Sequence, residues 1–332
     1  MTEIQQAVSG IGPDPGPSAP LDATSDSALG LSAKPLTPGR LAWRRFRRHK
    51  LAMFSVVLLL VITFMCAFAG VLTKYGPNTE IHINGVKAIY LHPQSGHWFG
   101  TDDKAVDMWS AVLYGGRISL EVGIAVALIS TAIGTVVGVV AGYYGRILDN
   151  ILMRVTDLFL AIPFLVSAII ASELPSTQHW AQTIMGQPHS IRSVITIITA
   201  FFWMPVARVV RGLVLSLKEK EFVEAARASG ASDARIMFRH LVPNCTGQII
   251  INATLSVAAA ILTEAALSFL GYGVQAVFTP TWGNLLSNAQ SSLNFAAYLA
   301  WPAGTAIVLT VLCVNFIGDG LRDALDPKQL SV

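Results

Sequence analysis

Charge is the scarcest commodity in this chain. Only 13% of its 332 residues are Asp, Glu, Lys or Arg, against 53% hydrophobic ones, whereas soluble domains carry about a quarter charged residues. The charges also crowd into a few short stretches and leave long uncharged runs between them. A charge at the centre of a bilayer costs a few kcal/mol or more, so this distribution excludes an ordinary soluble domain and predicts a membrane protein. A mean hydropathy of +0.55 agrees. The formal net charge of +3 gives no sign of a nucleic-acid partner, and none is expected.

Other absences narrow the chemistry. The three cysteines, Cys66, Cys245 and Cys313, lie in or beside apolar runs, which excludes a disulfide framework in outer loops and predicts small buried hydrophobes. None of the seven histidines belongs to an H-E-x-x-H pair, and no G-x-x-x-x-G-K-[ST] loop is present to cradle phosphates. Neither catalysis, nor a resident cofactor, nor a metal is expected of this chain. Asp102, Asp103 and Asp107 form an acidic cluster, but without the fuller pattern of a calcium loop they read as solvated or loop-bracing carboxylates. Residues 1–39 contain many Gly, Pro, Ser, Ala and Asp and no apolar run of signal-peptide length. They are expected to form a disordered tail.

The long apolar runs predict an all-α, polytopic fold with six transmembrane helices. Residues 51–72 carry no charge, and 22 residues at about 1.5 Å each reach roughly 33 Å, enough for a hydrocarbon core of roughly 30 Å. Further spans are expected at 122–144, 155–172, 191–215, 249–270 and 296–318. Lys and Arg near the span ends set the orientation. A basic cluster at 44–50 precedes the first span. Arg208, Arg211, Lys218, Lys220, Arg227, Arg235 and Arg239 follow the fourth, while 173–190 and 272–296 have no Lys or Arg. Both termini, the short tail at 329–332 and the loop at 218–243 are therefore expected on the cytoplasmic side of the membrane.

Within the spans, Gly134, Gly138 and Gly142 recur at four-residue spacing. They fall on one helical face, where another backbone could approach closely, although membrane helices also tolerate glycine without such a role. Asp157 and Arg154 either pair at the interface or serve a gate. Glu264 is an intramembrane carboxylate, hence a functional candidate, or a brace for the turn at 271–273. Arg208 and Arg211 are expected to reach to the headgroups, with lining a pore as the alternative. Asn252 and Asn315 are expected to hydrogen-bond between helices, with contact to a transported solute as the alternative for both and a place along the pathway or gate for Asn315.

The most informative stretch runs from Glu221 to Asn244. Glu221 to Ser229 contains good helix formers, with Phe222, Ala225 and Ala226 as small and apolar groups. Gly230 can take the left-handed conformation that closes a helix, Ala231 follows, and Ser232 or Asp233 can cap a second helix containing Arg235. Pro243 marks an expected boundary before the fifth span.

Glu224-Ala225-Ala226, then Gly230, then Pro243 thirteen residues further on resembles the EAA loop of ABC importer permeases. Asp149-Asn150, Arg154 and Asp157 with the following Leu-Phe-Leu-Ala-Ile-Pro163 resemble the third-span signature of dipeptide and oligopeptide permeases. So do Glu264-Ala-Ala-Leu-Ser-Phe-Leu-Gly271, Trp282-Gly283, Phe99-Gly-Thr-Asp-Asp103, Tyr114-Gly-Gly-Arg117 and the stretch from Gly318 to Pro327. The similarity covers about residues 40–328 and favours the C-type subunit. Two arginines of the family pattern are missing near 104–111, where Lys104-Ala105-Val106-Asp107 and Ser110-Ala111 stand instead.

The resemblance implies a type I ABC importer permease fold. It also implies two ATP-binding subunits that hold ATP and Mg, a second permease subunit in a heterodimer, and an extracytoplasmic peptide-binding protein. In that frame Glu221 to Arg235 is the ATPase-coupling helix, the lipid bilayer surrounds the spans, and the cargo is a di- or oligopeptide. The same machine carrying nickel, glutathione or haem is an alternative, as is a self-sufficient secondary transporter. The latter would predict an internal repeat with broken helices.

Overall fold

The computed structural model describes residues 38–275 and 280–325. Residues 1–37 of the expected tail at 1–39, the tail at 329–332 and the end of the 318–327 motif lie outside the described residues, while Pro38 and Gly39 already belong to a helix. Contacts divide the chain into Met1–Leu41 and Ala42–Val332, and the long membrane helices all lie in the second unit.

Helix α1 (Pro38–Arg48) ends in Arg45, Arg47 and Arg48. The imidazole of His49 then caps α2 (Lys50–Ala67), its Nδ1 accepting from Ala52 N at 3.1 Å. Leu51, Phe54, Val57, Leu60, Val61 and Phe64 of α2 are all exposed. This wholly apolar outer stripe is what a helix facing lipid should present. The first apolar run pauses at Phe68 and ends in a short α3 (Ala69–Leu72).

Residues 73–107 form a small outer layer. It contains a two-stranded antiparallel hairpin of β1 (His82–Ile83) and β2 (Val86–Lys87). Asn84 and Gly85 supply its turn, with φ of 54° and 81°, the Asn-Gly pair favoured where both turn residues need positive φ.

Helix α4 (Met108–Tyr144) begins far ahead of the expected 122. Asp107 caps it by accepting from Ser110 N at 3.0 Å. Its 37 residues rise about 55 Å, well beyond a roughly 30 Å hydrocarbon core. The extra turns carry Arg117 and Glu121 outside the apolar window.

The expected third span at 155–172 is not one straight helix. It falls across α5 (Arg146–Ala161) and α6 (Phe164–Thr177), which are bent by 92° at Ile162–Pro163. Proline lacks the N–H and disfavours helix in the residue before it, and Ile162 is accordingly extended, with ψ of 131°. After α7 (His179–Met185), α8 (Ile191–Leu217) crosses with Pro205 inside it.

The 218–243 loop holds α9 (Glu221–Ala228) and the short α10 (Asp233–Arg235). A π-helical turn, Ile236–Leu241, then leads directly into α11 (Val242–Phe269). Pro243 therefore does not interrupt the chain as expected. It sits in the first turn of α11, where a missing N–H costs little. The remaining elements are α12 (Trp282–Gln290), α13 (Leu293–Ala296), a 3-10 turn at Ala297–Leu299, and α14 (Ala300–Leu325). Among the described residues, five helical stretches are long and apolar enough to cross a membrane, or six if the bent pair counts as one span.

Close approaches order these helices. Cβ atoms built on Gly134, Gly138 and Gly142 would fall 2.5–2.8 Å from Trp203 O, Ala207 O and Val214 Cβ of α8. The three glycines thus seat α4 on α8, and the rising numbers on both sides show that these helices run parallel. Two spans that run in the same direction must be separated by an odd number of crossings, so the α5–α6 pair has to carry the chain back. Gly123 against Ile261 and Gly320 against Ala52 fit antiparallel α4–α11 and α2–α14 pairs. One end of the bundle gathers α1, the end of α4 and the 218–243 loop, and is called the basic end below. The 73–107 layer and α12 lie at the opposite end.

Candidate functional site

The 221–235 elbow is built from local rules. Glu221 and Glu224 lie in the first turn of α9 and Arg227 in the last, each at the favourable pole of the helix dipole. The helix closes at Gly230, where φ is +75°. Gly230 N donates to Arg227 O at 3.0 Å and Ala231 N to Ala226 O at 3.1 Å, the paired bonds of a Schellman closure. Ser232 Oγ then caps α10 by accepting from Arg235 N at 3.4 Å. Val223 is fully buried, in a cluster with Val139, Val210, Val214, Ile236 and Leu241, and Tyr143 Oη donates to Asp233 Oδ1 at 2.7 Å.

That anchoring sorts the sequence candidates into two groups. Ala226 and Ala231 are half-buried and pack inward, on the cluster around Val223. Glu221, Phe222, Glu224, Ala225, Gly230, Ser232 and Arg235 are exposed on the outer side. A Cβ on Gly230 would meet nothing within 4 Å, so the fold demands glycine there for its φ and not for space within this chain.

Just inside the basic end, two arginines of α8 hold α5. The Arg211 guanidinium grips both oxygens of Asp149, with Nη2 to Oδ2 at 2.7 Å and a shorter bond from Nε to Oδ1. Arg208 pairs with Asp157. Each arginine thus has a carboxylate partner on α5 in a charge-assisted bond, fork-matched for Arg211. Asp157 likewise pairs with Arg208 of α8 instead of its neighbour Arg154. The two pairs differ in setting: Asp149 is buried, while the side chains of Arg208 and Asp157 are 48% and 59% exposed.

Glu264 lies deep in α11 with no exposure. One oxygen accepts from Ser268 Oγ at 2.6 Å, one turn on, and the other from Ser119 Oγ of α4 at 3.2 Å. Ser119 Oγ in turn accepts from Trp282 N, the first residue of α12, at 3.2 Å. The carboxylate thus ties α4, α11 and α12 together. Trp282 adds a bond from Nε1 to Val112 O at 2.9 Å; Gly116 makes room for the side chains of Trp282 and Cys66, and Gly283 lets the start of α12 meet the α11 backbone at Ala265.

The family model for the inner membrane component of binding-protein-dependent transport systems matches residues 134–331. The chain belongs to the binding-protein-dependent transport permeases. A second model, for the N-terminal transmembrane domain of oligopeptide transport permease C, matches residues 37–93 of the permease. The Bacillus subtilis oligopeptide transport system permease protein OppC is 37% identical over 310 residues, covering 93% of this chain and 96% of that protein. The dipeptide transport system permease protein DppC of Alkalihalophilus pseudofirmus is 38% identical, over 89% of this chain and 92% of that one. The glutathione transport system permease protein GsiD of Escherichia coli O6:K15:H31 is 37% identical, over 88% and 91%. Among solved structures, a chain of the inward-facing MetNI methionine ABC transporter superposes with a TM-score of 0.52 at 21% identity, over 66% of this permease and 97% of that chain. The fold is that of a type I ABC importer permease.

Other residues of the permease take structural places. Asn315 is half-buried on α14. Asn252 donates to Gln248 O of its own helix at 2.8 Å, so the expected bond between helices is replaced by one within α11. Asp102 Oδ1 accepts from Lys104 N and Val106 N at 2.9 and 2.7 Å, and Asp107 bonds His97 Nδ1 at 2.8 Å besides capping α4. These carboxylates brace the loop, and among the described residues no group of three or more His, Cys, Asp or Glu could hold a metal. Cys66, Cys245 and Cys313 are free and buried. Sequence reasoning missed the role of Arg117, which caps the end of α2 through Cys66 O and Ala67 O, both at 2.7 Å. It also missed the Asp149–Arg211 clamp and the Ser119–Trp282 side of the Glu264 knot. The signal for the clamp was present: charges on otherwise apolar helices require partners.

Proposed function

We propose that this permease carries di- or oligopeptides inward across a bacterial cytoplasmic membrane, driven by ATPases that dock on the 221–235 elbow. Concentrating a solute a thousandfold costs about 4 kcal/mol, and this chain has no phosphate-cradling loop from which to draw it. The reading therefore requires two separate ATP-binding subunits with their ATP and Mg. A second permease subunit completes the passage as a heterodimer, and an extracytoplasmic binding protein delivers peptide. Both termini and the elbow face the cytoplasm, in keeping with the lysines and arginines at the basic end.

The observation that carries the proposal is the division of the elbow. Val223, Ala226 and Ala231 fasten it to the ends of α4, α8 and α11, while Glu221, Phe222, Glu224, Ala225, Ser232 and Arg235 remain exposed. An element rigidly joined to three long helices, with a free outer face, can convert movement of a docked ATPase into rocking of the spans. Peptide cargo is supported by the oligopeptide, dipeptide and glutathione permeases at similar identity. Glutathione is itself a tripeptide, so it falls within the same cargo chemistry.

The test is uptake by the whole transporter carrying Glu224→Lys or Gly230→Trp in this subunit. Both variants are expected to insert and assemble but to lose ATP-dependent peptide uptake. Crosslinkers placed at Phe222→Cys should capture an ATP-binding subunit. Normal uptake by both variants, or no capture of such a partner, would defeat the assignment.

A further inference from the structure

The half-exposed ion pair between Asp157 and Arg208 sits where a membrane protein should not display charge. Arg208 lies nine residues before the end of α8, about 14 Å along the helix. Facing hydrocarbon there would cost each charge a few kcal/mol. The face carrying the pair must therefore meet water, a polar cargo or another protein. The exposed stripe of α2, from Leu51 to Phe64, is by contrast purely apolar and fits lipid.

Directly beside the pair, toward the opposite end, the 92° break opens a cavity of about 590 Å³ lined by Phe159, Pro163, Phe201, Pro205, Asn252 and Ser256, among others. Asp157 lies two residues before Phe159 and Arg208 three after Pro205, so the pair stands within one helical turn of the cavity lining, on its basic-end side. The volume lies in the roughly 300–1,000 Å³ range of small-molecule sites. Its walls are mostly apolar and aromatic, with edge-on Phe164–Phe201 and Phe159–Phe201 contacts. Asn252 and Ser256 stand one turn apart on α11. The Asn252 amide N–H is committed to Gln248 O, which leaves its carbonyl oxygen to accept from a passing backbone N–H.

We propose that Asp157 and Arg208 are a zwitterion-responsive gate at the basic-end mouth of a peptide passage whose wall is this cavity. The inference rests on the peptide-import reading above. A free peptide carries one ammonium and one carboxylate, the two charges needed to take each member of the pair from the other. The ammonium exchanges onto Asp157 and the carboxylate onto Arg208, so the gate parts for a zwitterion and closes behind it without leaving either charge unpaired. The Asp149–Arg211 clamp, bidentate and largely buried, holds α5 to α8 one turn closer to the basic end. It provides the fixed hinge against which the outer pair can open.

The experiment uses the complete transporter in proteoliposomes, with ATP-driven uptake of a free tripeptide measured first. Absence of that uptake in the parent complex would sink the functional reading itself. Given uptake, Ile162→Cys in the cavity wall and Phe54→Cys on the α2 stripe are treated with a membrane-impermeant and a lipid-soluble thiol reagent. The native cysteines are buried and set a low background. Position 162 is expected to react with the impermeant reagent and to be protected by the tripeptide, more than by its N-acetylated amide. Position 54 should react only with the lipid-soluble one. Reaction of position 162 with the lipid-soluble reagent alone would assign that face to lipid. Reaction with neither would assign it to the second permease. Either result overturns the gate.

In parallel, Asp157→Asn and Arg208→Gln should each raise ATP-independent tripeptide leak by about fivefold, the factor that up to ~1 kcal/mol of a half-exposed pair confers. The double exchange of Asp157→Arg with Arg208→Asp should restore a tight membrane. Parental leak in both single variants overturns the proposal.

Discussion

The two ends of this permease handle buried polarity in opposite ways. At the end opposite the elbow, Glu264 has no exposure and reaches Ser119 and Ser268, and through Ser119 the start of α12. Three helices converge there with glycine at the contacts. At the basic end, Asp157 and Arg208 make a single-contact pair that is half exposed and lies within a helical turn of the residues lining a cavity. A closed knot of hydrogen bonds holds one arrangement, because every alternative leaves a buried group unpaired. An open pair can exchange partners at small cost. The difference teaches which end is scaffold and which end can move.

The sharpest way to break the comparison is to remove Glu264. Glu264→Ala leaves two serine hydroxyls without their acceptor and a cavity in the core. The expected loss is about 3–5 kcal/mol from the combined cavity and unpaired-group costs, enough to prevent assembly. Glu264→Gln keeps the volume but supplies only one accepting oxygen, so one serine must turn away. About 1 kcal/mol should be lost, the net value of a typical hydrogen bond. Thermal unfolding, read by reaction of a fluorescent maleimide with the three buried cysteines, measures both. Equal and mild effects of Ala and Gln would show that the knot is no scaffold.

A second comparison sets a glycine of the packed layer between α4 and α8 against one on the exposed face of α8. A Cβ at Gly138 would lie 2.5 Å from Ala207 O and 2.9 Å from Val210 Cβ, whereas one at Gly212 would meet nothing within 4 Å. Gly138→Val is expected to cost about 1–3 kcal/mol through overpacking. Gly212→Ala should stabilise α8 by about 0.5–1 kcal/mol, since glycine is a poor helix interior residue. Ser232→Ala should be smaller still. It removes a long capping bond of 3.4 Å and is expected to cost about 0.5 kcal/mol, seen as faster hydrogen exchange at Arg235 without change in the bundle.

Legibility in the sequence followed the same division. Apolar runs, the basic clusters and Gly230 were readable because each rests on local composition or on one residue's backbone freedom. The ring of small contacts at Gly134, Gly138 and Gly142 was readable because helical period alone places them on one face. The 92° break at Pro163 was only half readable: proline announced a kink, but the angle depends on how α5 is clamped to α8 by Asp149–Arg211. The partners of Glu264 were beyond reach, since Ser119 lies 145 residues away and nothing in its neighbours distinguishes it from other serines in α4. Long-range pairing is a property of packing, and one sequence carries no direct mark of it. The hairpin turn at Asn84-Gly85 is a counter-example, a strong short-range signal overlooked beside the longer apolar runs.

The smallest expected effect belongs to the 73–107 layer, where polarity is buried outside the membrane. Burial holds the Asp102 carboxyl above its ordinary value, aided by the neighbouring charge of Asp103 and opposed by hydrogen bonds from Val106 N and Lys104 N and by the Lys104 ammonium. A carboxyl whose folded value is raised binds its proton more tightly in the native state than in the unfolded chain. Its contribution is therefore most favourable below the unfolded value and is lost as pH climbs through the raised folded one. The layer should loosen slightly as pH rises out of the acid range, read as faster backbone hydrogen exchange at Val106 after correction for the intrinsic rate. Asp102→Asn retains an oxygen for both backbone donors and removes the titrating charge. It should abolish that pH dependence while leaving the loop folded. A variant that kept the same pH profile would show that Asp102 is not its source.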